Sequence, residues 1–151
     1  MRDDPIRILI VEARADATLA DTLLASAKDA LAKSEAEVTV VTVPGALEIP
    51  AVVAMAEESG HRPAGVRYDG YVALGCVIRG ESRHYDIAVG EVARALNDLA
   101  MGRRLAVGNG VLAVESAAEA QAYARAGVGA EAARAALAVV ELKRKLLGQA
   151  R

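Results

Sequence analysis

The sequence predicts a three-layer α/β/α sandwich built on a four-stranded, all-parallel sheet. Three observations carry that prediction. Short runs rich in Val, Ile, Leu and Ala are continuously apolar rather than alternating, the pattern of strands buried on both faces. Segments with apolar residues at helical spacing separate these runs. Right-handed crossovers between parallel strands then leave few topologies.

Each element has its own warrant. Pro5 bounds a β-branched run from Ile6 to Glu12, the first strand. Thr18 to Ser34 carries Leu19, Leu23, Ala27 and Leu31 on one helical face. Val38 to Val43 is again apolar or β-branched and stops at Pro44-Gly45; Pro50, suited to a helix's first turn, opens a helix over Ala51 to Ser59. Gly60, Pro63 and Gly65 mark Gly60 to Asp69 as a loop. Gly70 to Ile78 forms the third strand and Tyr85 to Met101 the third helix. Leu105 to Leu112 is the fourth strand, where Gly108 and Gly110 predict a close approach to its backbone. Ser116, with Glu119 three residues on, caps a further helix, and the last runs from about Ala130 to Leu147. Its Lys143-Arg144-Lys145 reads as a cationic last turn complementing the helix dipole. The order of elements is flavodoxin-like.

The 151 residues suit one domain, spanning 1–151, and no break in composition suggests two. A net charge of −2, with no basic stripe interleaved with aromatics, argues against nucleic acid as a partner. Met1-Arg2-Asp3-Asp4-Pro5 lacks the apolar stretch of a signal peptide, and no apolar run reaches membrane-spanning length, so a cytoplasmic protein without membrane contacts is expected. Cys76, the single cysteine, cannot form an intrachain disulfide and reads as a buried, inert thiol. Phe and Trp are both 0, so Val, Ile, Leu and Ala must build the core; such a domain gains from burying further surface against copies of itself.

Function is most legible after the third strand. Arg79-Gly80-Glu81-Ser82-Arg83-His84-Tyr85-Asp86 sets backbone amides, cations, a hydroxyl and an imidazole at a helix entrance, which suits an anionic ligand. In open parallel sheets ligands bind beyond the carboxyl ends of the strands, so the segments Ala13 to Ala17, Pro44 to Glu48, Arg79 to His84 and Asn109 to Val114 are expected to converge on one pocket.

Those segments carry a resemblance. Val11-Glu12-Ala13-Arg14, Val43-Pro44-Gly45-Ala46-Leu47-Glu48-Ile49-Pro50, Ala73-Leu74-Gly75-Cys76-Val77-Ile78-Arg79-Gly80, His84-Tyr85-Asp86 and Gly108-Asn109-Gly110-Val111-Leu112 resemble, in order, the lumazine synthases of riboflavin biosynthesis. The resemblance implies condensation of a ribitylamino-pyrimidinedione with a dihydroxybutanone phosphate, without cofactor or metal. It implies His84 as general acid and base, and Gly80, Glu81, Ser82 and Arg125 as the phosphate site, with Arg125 reaching in from a neighbouring subunit. Ala15, Gly45, Ala46, Leu47, Glu48, Cys76, Val77 and Ile78 would bind substrate, joined by Asn109 of the neighbour. It further implies a homo-oligomer, either a pentamer, two stacked pentamers or an icosahedral shell.

Local sequence leaves other readings of the same residues open. His84 beside Arg83 and Asp86 also suits a surface or capping histidine, Glu48 the positive end of the helix after it, and Arg125 the negative end of a helix. The chain also departs from the family pattern. Ala15 stands where an aromatic ring would stack on the pyrimidine, a contact worth about 1 kcal/mol. Gly127-Val128-Gly129-Ala130-Glu131 is short and lacks the family's lysines, Ala113 replaces a hydroxyl, and Gly90-Glu91-Val92 replaces a polar turn. Two readings follow: a working lumazine synthase, or a lumazine-synthase-like assembly, natural or engineered, with weak or absent catalysis. A flavodoxin-like flavin or nucleotide binder is the third, disfavoured because no Gly-x-Gly-x-x-Gly follows the first strand.

Overall fold

The computed structural model describes residues 4–81 and 85–148. Four parallel strands, β1 (Arg7–Ala13), β2 (Glu37–Val43), β3 (Gly70–Ile78) and β4 (Ala106–Val114), pair in the order β2-β1-β3-β4. Helices α1 (Ala17–Lys33), α4 (Ala117–Arg125) and α5 (Val128–Leu147) cover one face; α2 (Ile49–Ser59) and α3 (Tyr85–Arg103) cover the other. This is the predicted three-layer α/β/α arrangement.

Side chains alternate across each strand, so two cores form. Ile8, Ile10, Val72 and Leu74 pack with Leu23, Leu31, Ala133 and Leu137 on the α1/α5 face. Leu9, Val11, Tyr71 and Ala73 pack with Ile49, Val53, Val92 and Leu96 on the α2/α3 face. Small residues let the layers close. A Cβ on Gly108 would stand 1.9 Å from the Ala132 carbonyl oxygen, and one on Gly129 would stand 2.2 Å from that of Leu23. The approach foreseen at Gly108 is therefore real, and the approaching group is α5.

The elements differ from the sequence reading mainly at their ends. A one-turn 3-10 helix, Ala46–Glu48, leads directly into α2, so α2 begins at Ile49. β4 runs to Val114, two residues beyond the expected end, because Ala113 and Val114 continue the pairing with Val77 and Ile78. α5 begins at Val128 because Gly127, at φ +101°, turns the chain straight out of α4. Asp16 caps α1, its Oδ1 accepting from the Leu19 amide at 3.0 Å. Ser116 caps α4 as expected: its Oγ accepts from the Glu119 amide at 3.1 Å, and Glu119 Oε1 accepts from the Glu115 amide at 2.7 Å. No helix among the described residues is long and apolar enough to cross a membrane.

Candidate active site

The carboxyl ends of the strands gather the connections after β1, β2, β3 and β4. Gly75, three residues before the end of β3, shows how closely they meet. A Cβ there would lie 3.4 Å from Ala13 Cβ, 3.7 Å from Ile49 Cδ1 and 4.0 Å from Ala46 Cβ. The end of β1, the turn leading into α2 and β3 thus share one floor on the α2/α3 face of the sheet.

The Gly45–Glu48 turn forms one wall. Gly45 is extended (φ −154°, ψ 173°), and the Glu48 amide donates to its carbonyl at 3.1 Å. The Glu48 carboxylate folds back over this glycine, with Oε1 only 3.1 Å from where a Cβ would sit. Glu48 occupies the N-cap position of α2 yet makes no capping hydrogen bond with its side chain, and both it and Leu47 are exposed. Ala15 is exposed in the connection after β1.

The connection after β3 opens with a 3-10 turn, Arg79–Glu81, in which Gly80 is exposed. Arg79 is engaged within the fold: its Nε donates to Glu115 Oε2 at 2.9 Å, Nη1 lies 3.7 Å from Asp86 Oδ1, and its guanidinium sits 4.5 Å from the centre of the Tyr85 ring. The Glu115 hydrogen bond, chiefly, raises its pKa further. Arg79 therefore ties the two ends of this connection to the end of β4. The phosphate-site candidate Ser82 and the acid-base candidate His84 lie outside the described residues, as does Arg83.

Two expectations need correction. Asn109 to Val114 is strand rather than loop, because Asn109 pairs in register with Ala73 in the middle of β3; the connection that reaches the site after β4 is Glu115-Ser116. Asn109 stands five residues before the end of β4, roughly 16 Å along a strand, with its Oδ1 accepting from the Val111 amide at 3.0 Å. Cys76 is half-buried rather than fully buried, and it shares the α1/α5 face with Ile78, whereas Val77 points to the other. The end of β3 therefore presents Cys76 and Ile78 on one face of the sheet and Val77 on the other. Glu131 lies in the first turn of α5, where its charge favours the positive helix end.

Arg125 is also distant from the strand ends. It closes α4, nine residues and roughly 13 Å of helix from Ser116. It lines a shallow groove with Thr22, Ser26, Asp29, Lys33 and Arg134. The Ser26 hydroxyl accepts from the Ala130 amide at 2.7 Å, so α1 caps the start of α5, whose own N-cap Gly127 has no side chain. Lys33 and Arg134 put further cations beside Arg125, where the local sequence has none of the lysines expected.

Two residues of Val11-Glu12-Ala13-Arg14 to which the sequence reading gave no role, Glu12 and Arg14, complete the picture. Glu12 is buried at the end of β1, with Oε2 accepting from Thr42 Oγ1 at 2.8 Å and Arg14 Nε at 2.9 Å. Glu12 and then Asp21 hold the Arg14 guanidinium above its usual pKa through these hydrogen bonds. A charge within a strand-like run was the only available signal.

The family model for 6,7-dimethyl-8-ribityllumazine synthase matches residues 5–144. The 6,7-dimethyl-8-ribityllumazine synthase 1 of Rhizobium meliloti is 54% identical over 145 residues, 94% of each chain. The enzyme of that name from Methylobacterium radiotolerans is 56% identical over 143 residues, 91% of this chain and 82% of its own. That of Agrobacterium fabrum is 52% identical over 144 residues, 93% and 97% respectively. A match running from the first strand into the last helix takes in every connection at the strand ends, and this chain belongs to the 6,7-dimethyl-8-ribityllumazine synthase family.

Proposed function

We propose that the protein is a cytoplasmic 6,7-dimethyl-8-ribityllumazine synthase, a transferase of riboflavin biosynthesis working as a single domain. It condenses 5-amino-6-ribitylamino-pyrimidinedione with 3,4-dihydroxy-2-butanone 4-phosphate. The pyrimidine amine attacks the ketone and water leaves to give an imine; elimination releases inorganic phosphate; ring closure releases a second water. Each step moves a proton to or from carbon, nitrogen or oxygen, and His84 is the group assigned to that work. Amides of Gly80, Glu81 and Ser82 and the Ser82 hydroxyl hold the phosphate. Gly45, Ala46, Leu47 and Glu48 receive the pyrimidine and its ribityl chain, the Glu48 carboxylate accepting from hydroxyls, with Ala15 and Val77 beside them.

One observation carries the reading that the site lies between subunits. Arg125 and Asn109 both stand far from the strand ends of their own chain, so they reach substrate only from a neighbour. Exposed Asn109 and Ala113 on edge strand β4, and exposed Met55, Ile87 and Met101 on α2 and α3, are consistent with a partner copy there. The assembly assigned is a homopentamer or a multiple of it.

The test supplies both substrates to the purified protein and follows the lumazine product by its absorbance. Turnover that collapses in His84→Ala supports the proposal. No turnover at saturating substrate rejects it in favour of a catalytically inert assembly, and a stable monomer by native mass measurement rejects the shared site.

A further inference from the structure

We propose that Glu12 is a positioning residue for this site, acting through Arg14 on the connection between β1 and α1. At 4% exposed, it is the one buried charged residue among those described. It holds the penultimate position of β1, a strand flanked by β2 and β3. Its Oε2 accepts from Thr42 Oγ1 of β2 at 2.8 Å and from Arg14 Nε at 2.9 Å. Arg14 Nη2 passes the link to Asp21 Oδ1 of α1 at 2.8 Å. One line of charge-assisted bonds therefore runs from β2 through β1 and the connection to α1. Among the described residues no donor reaches Glu12 Oε1, which is buried as well.

As a means of holding a sheet together this arrangement is poor. A buried ion pair is often no more stabilising than apolar side chains of the same volume, and an unpaired buried oxygen adds a penalty. What the pair does supply is direction, because a guanidinium fork between two carboxylates admits few orientations. Neighbouring side chains of a strand point to opposite faces, so Glu12 faces α1 while Ala13 faces the floor of the site at Gly75. Ala15, exposed and ending at its Cβ, has no side chain with which to anchor itself. The line from Glu12 through Arg14 to Asp21 thereby sets where Ala13 and Ala15 stand against the pyrimidine. This inference rests on the lumazine synthase reading above.

The test compares Glu12→Gln and Arg14→Ala, each purified as the assembled protein, with the two substrates varied in turn. The KM for the pyrimidine rises about tenfold, while kcat and the KM for the sugar phosphate stay within about twofold. The double variant is no worse than Arg14→Ala alone, because both changes break one line. Hydrogen exchange at the amides of residues 13–16 quickens in Glu12→Gln, a readout independent of turnover. Equal rises in both KM values, additive losses in the double variant, or unchanged exchange overturn the positioning role while leaving the proposed reaction intact. Absence of turnover in the unsubstituted protein overturns the reaction itself, and this inference with it.

Discussion

Ser26→Ala removes a hydroxyl that joins two helices and steadies the turn next to Arg125. Three amides at the start of α5, those of Val128, Gly129 and Ala130, have no acceptor within their own helix, because the first internal bond runs from Glu131 to Gly127. Ser26 Oγ takes the Ala130 amide at 2.7 Å in a partly buried setting. Losing such a bond costs about 1–1.5 kcal/mol, the range of an N-cap removal. The better helix propensity of alanine within α1 returns about 0.3–0.5 kcal/mol. The net loss is about 1 kcal/mol, which for 151 residues lowers the melting temperature by about 3 °C. Differential scanning calorimetry of the assembled protein measures this, with Ser26→Thr, which keeps the hydroxyl, as the control. The Gly127 turn that α5 closes follows two residues after Arg125, so under the proposed phosphate role of Arg125 the KM for the sugar phosphate is expected to rise as well. A melting temperature unchanged in Ser26→Ala, or an equal loss in Ser26→Thr, would show that the bond does not secure α5.

Other outcomes follow from particular contacts. Gly108→Ala drives a methyl into the Ala132 carbonyl, with 1.9 Å between them before relaxation, and costs about 3 kcal/mol, the upper end of overpacking, measurable by urea denaturation. Tyr71 is buried with its hydroxyl 3.4 Å from Glu57 Oε1; burial first, then the Glu57 charge, raises its pKa well above the usual tyrosine value. The folded state thus favours the neutral phenol, so its contribution is fully present below about pH 10 and is lost as pH rises toward the folded value. Tyr71→Phe should flatten that alkaline decline in a stability profile, and an unchanged slope would contradict the assignment. Under the proposed function, Ala15→Tyr puts a ring where the pyrimidine binds and should lower its KM about fivefold, the equivalent of ~1 kcal/mol of stacking, by initial-rate kinetics.

The sheet was legible in the sequence because its strands are buried on both faces: β3 begins at Gly70 and ends at Ile78 in the sequence reading and in the fold alike. The cap at Ser116 and the crowding at Gly108 were legible for a different reason, since a capping hydroxyl and a missing Cβ are each signs of a local requirement. The Ala46–Glu48 turn was not, as three residues carry no period. Ser26 and Ala130 are 104 positions apart, and Arg79 and Glu115 are 36 apart, so only the folded chain brings each pair together. Glu12 defeats composition arguments entirely, because a charge in an apolar run reads as a strand end although the fold buries it. The last helix was placed from about Ala130, whereas it starts at Val128 and includes Gly129, which is small because α1 presses on it.

The central claim is that one site needs two chains, and mixed assemblies test it most directly. His84→Ala and Arg125→Ala are prepared separately, each inactive, then unfolded together and reassembled. If Arg125 completes a site built around His84 of the neighbouring copy, random mixing rebuilds intact sites at about one interface in four, and turnover returns to about a quarter of the unsubstituted level. Mixed assemblies that form yet stay inactive would contradict the account.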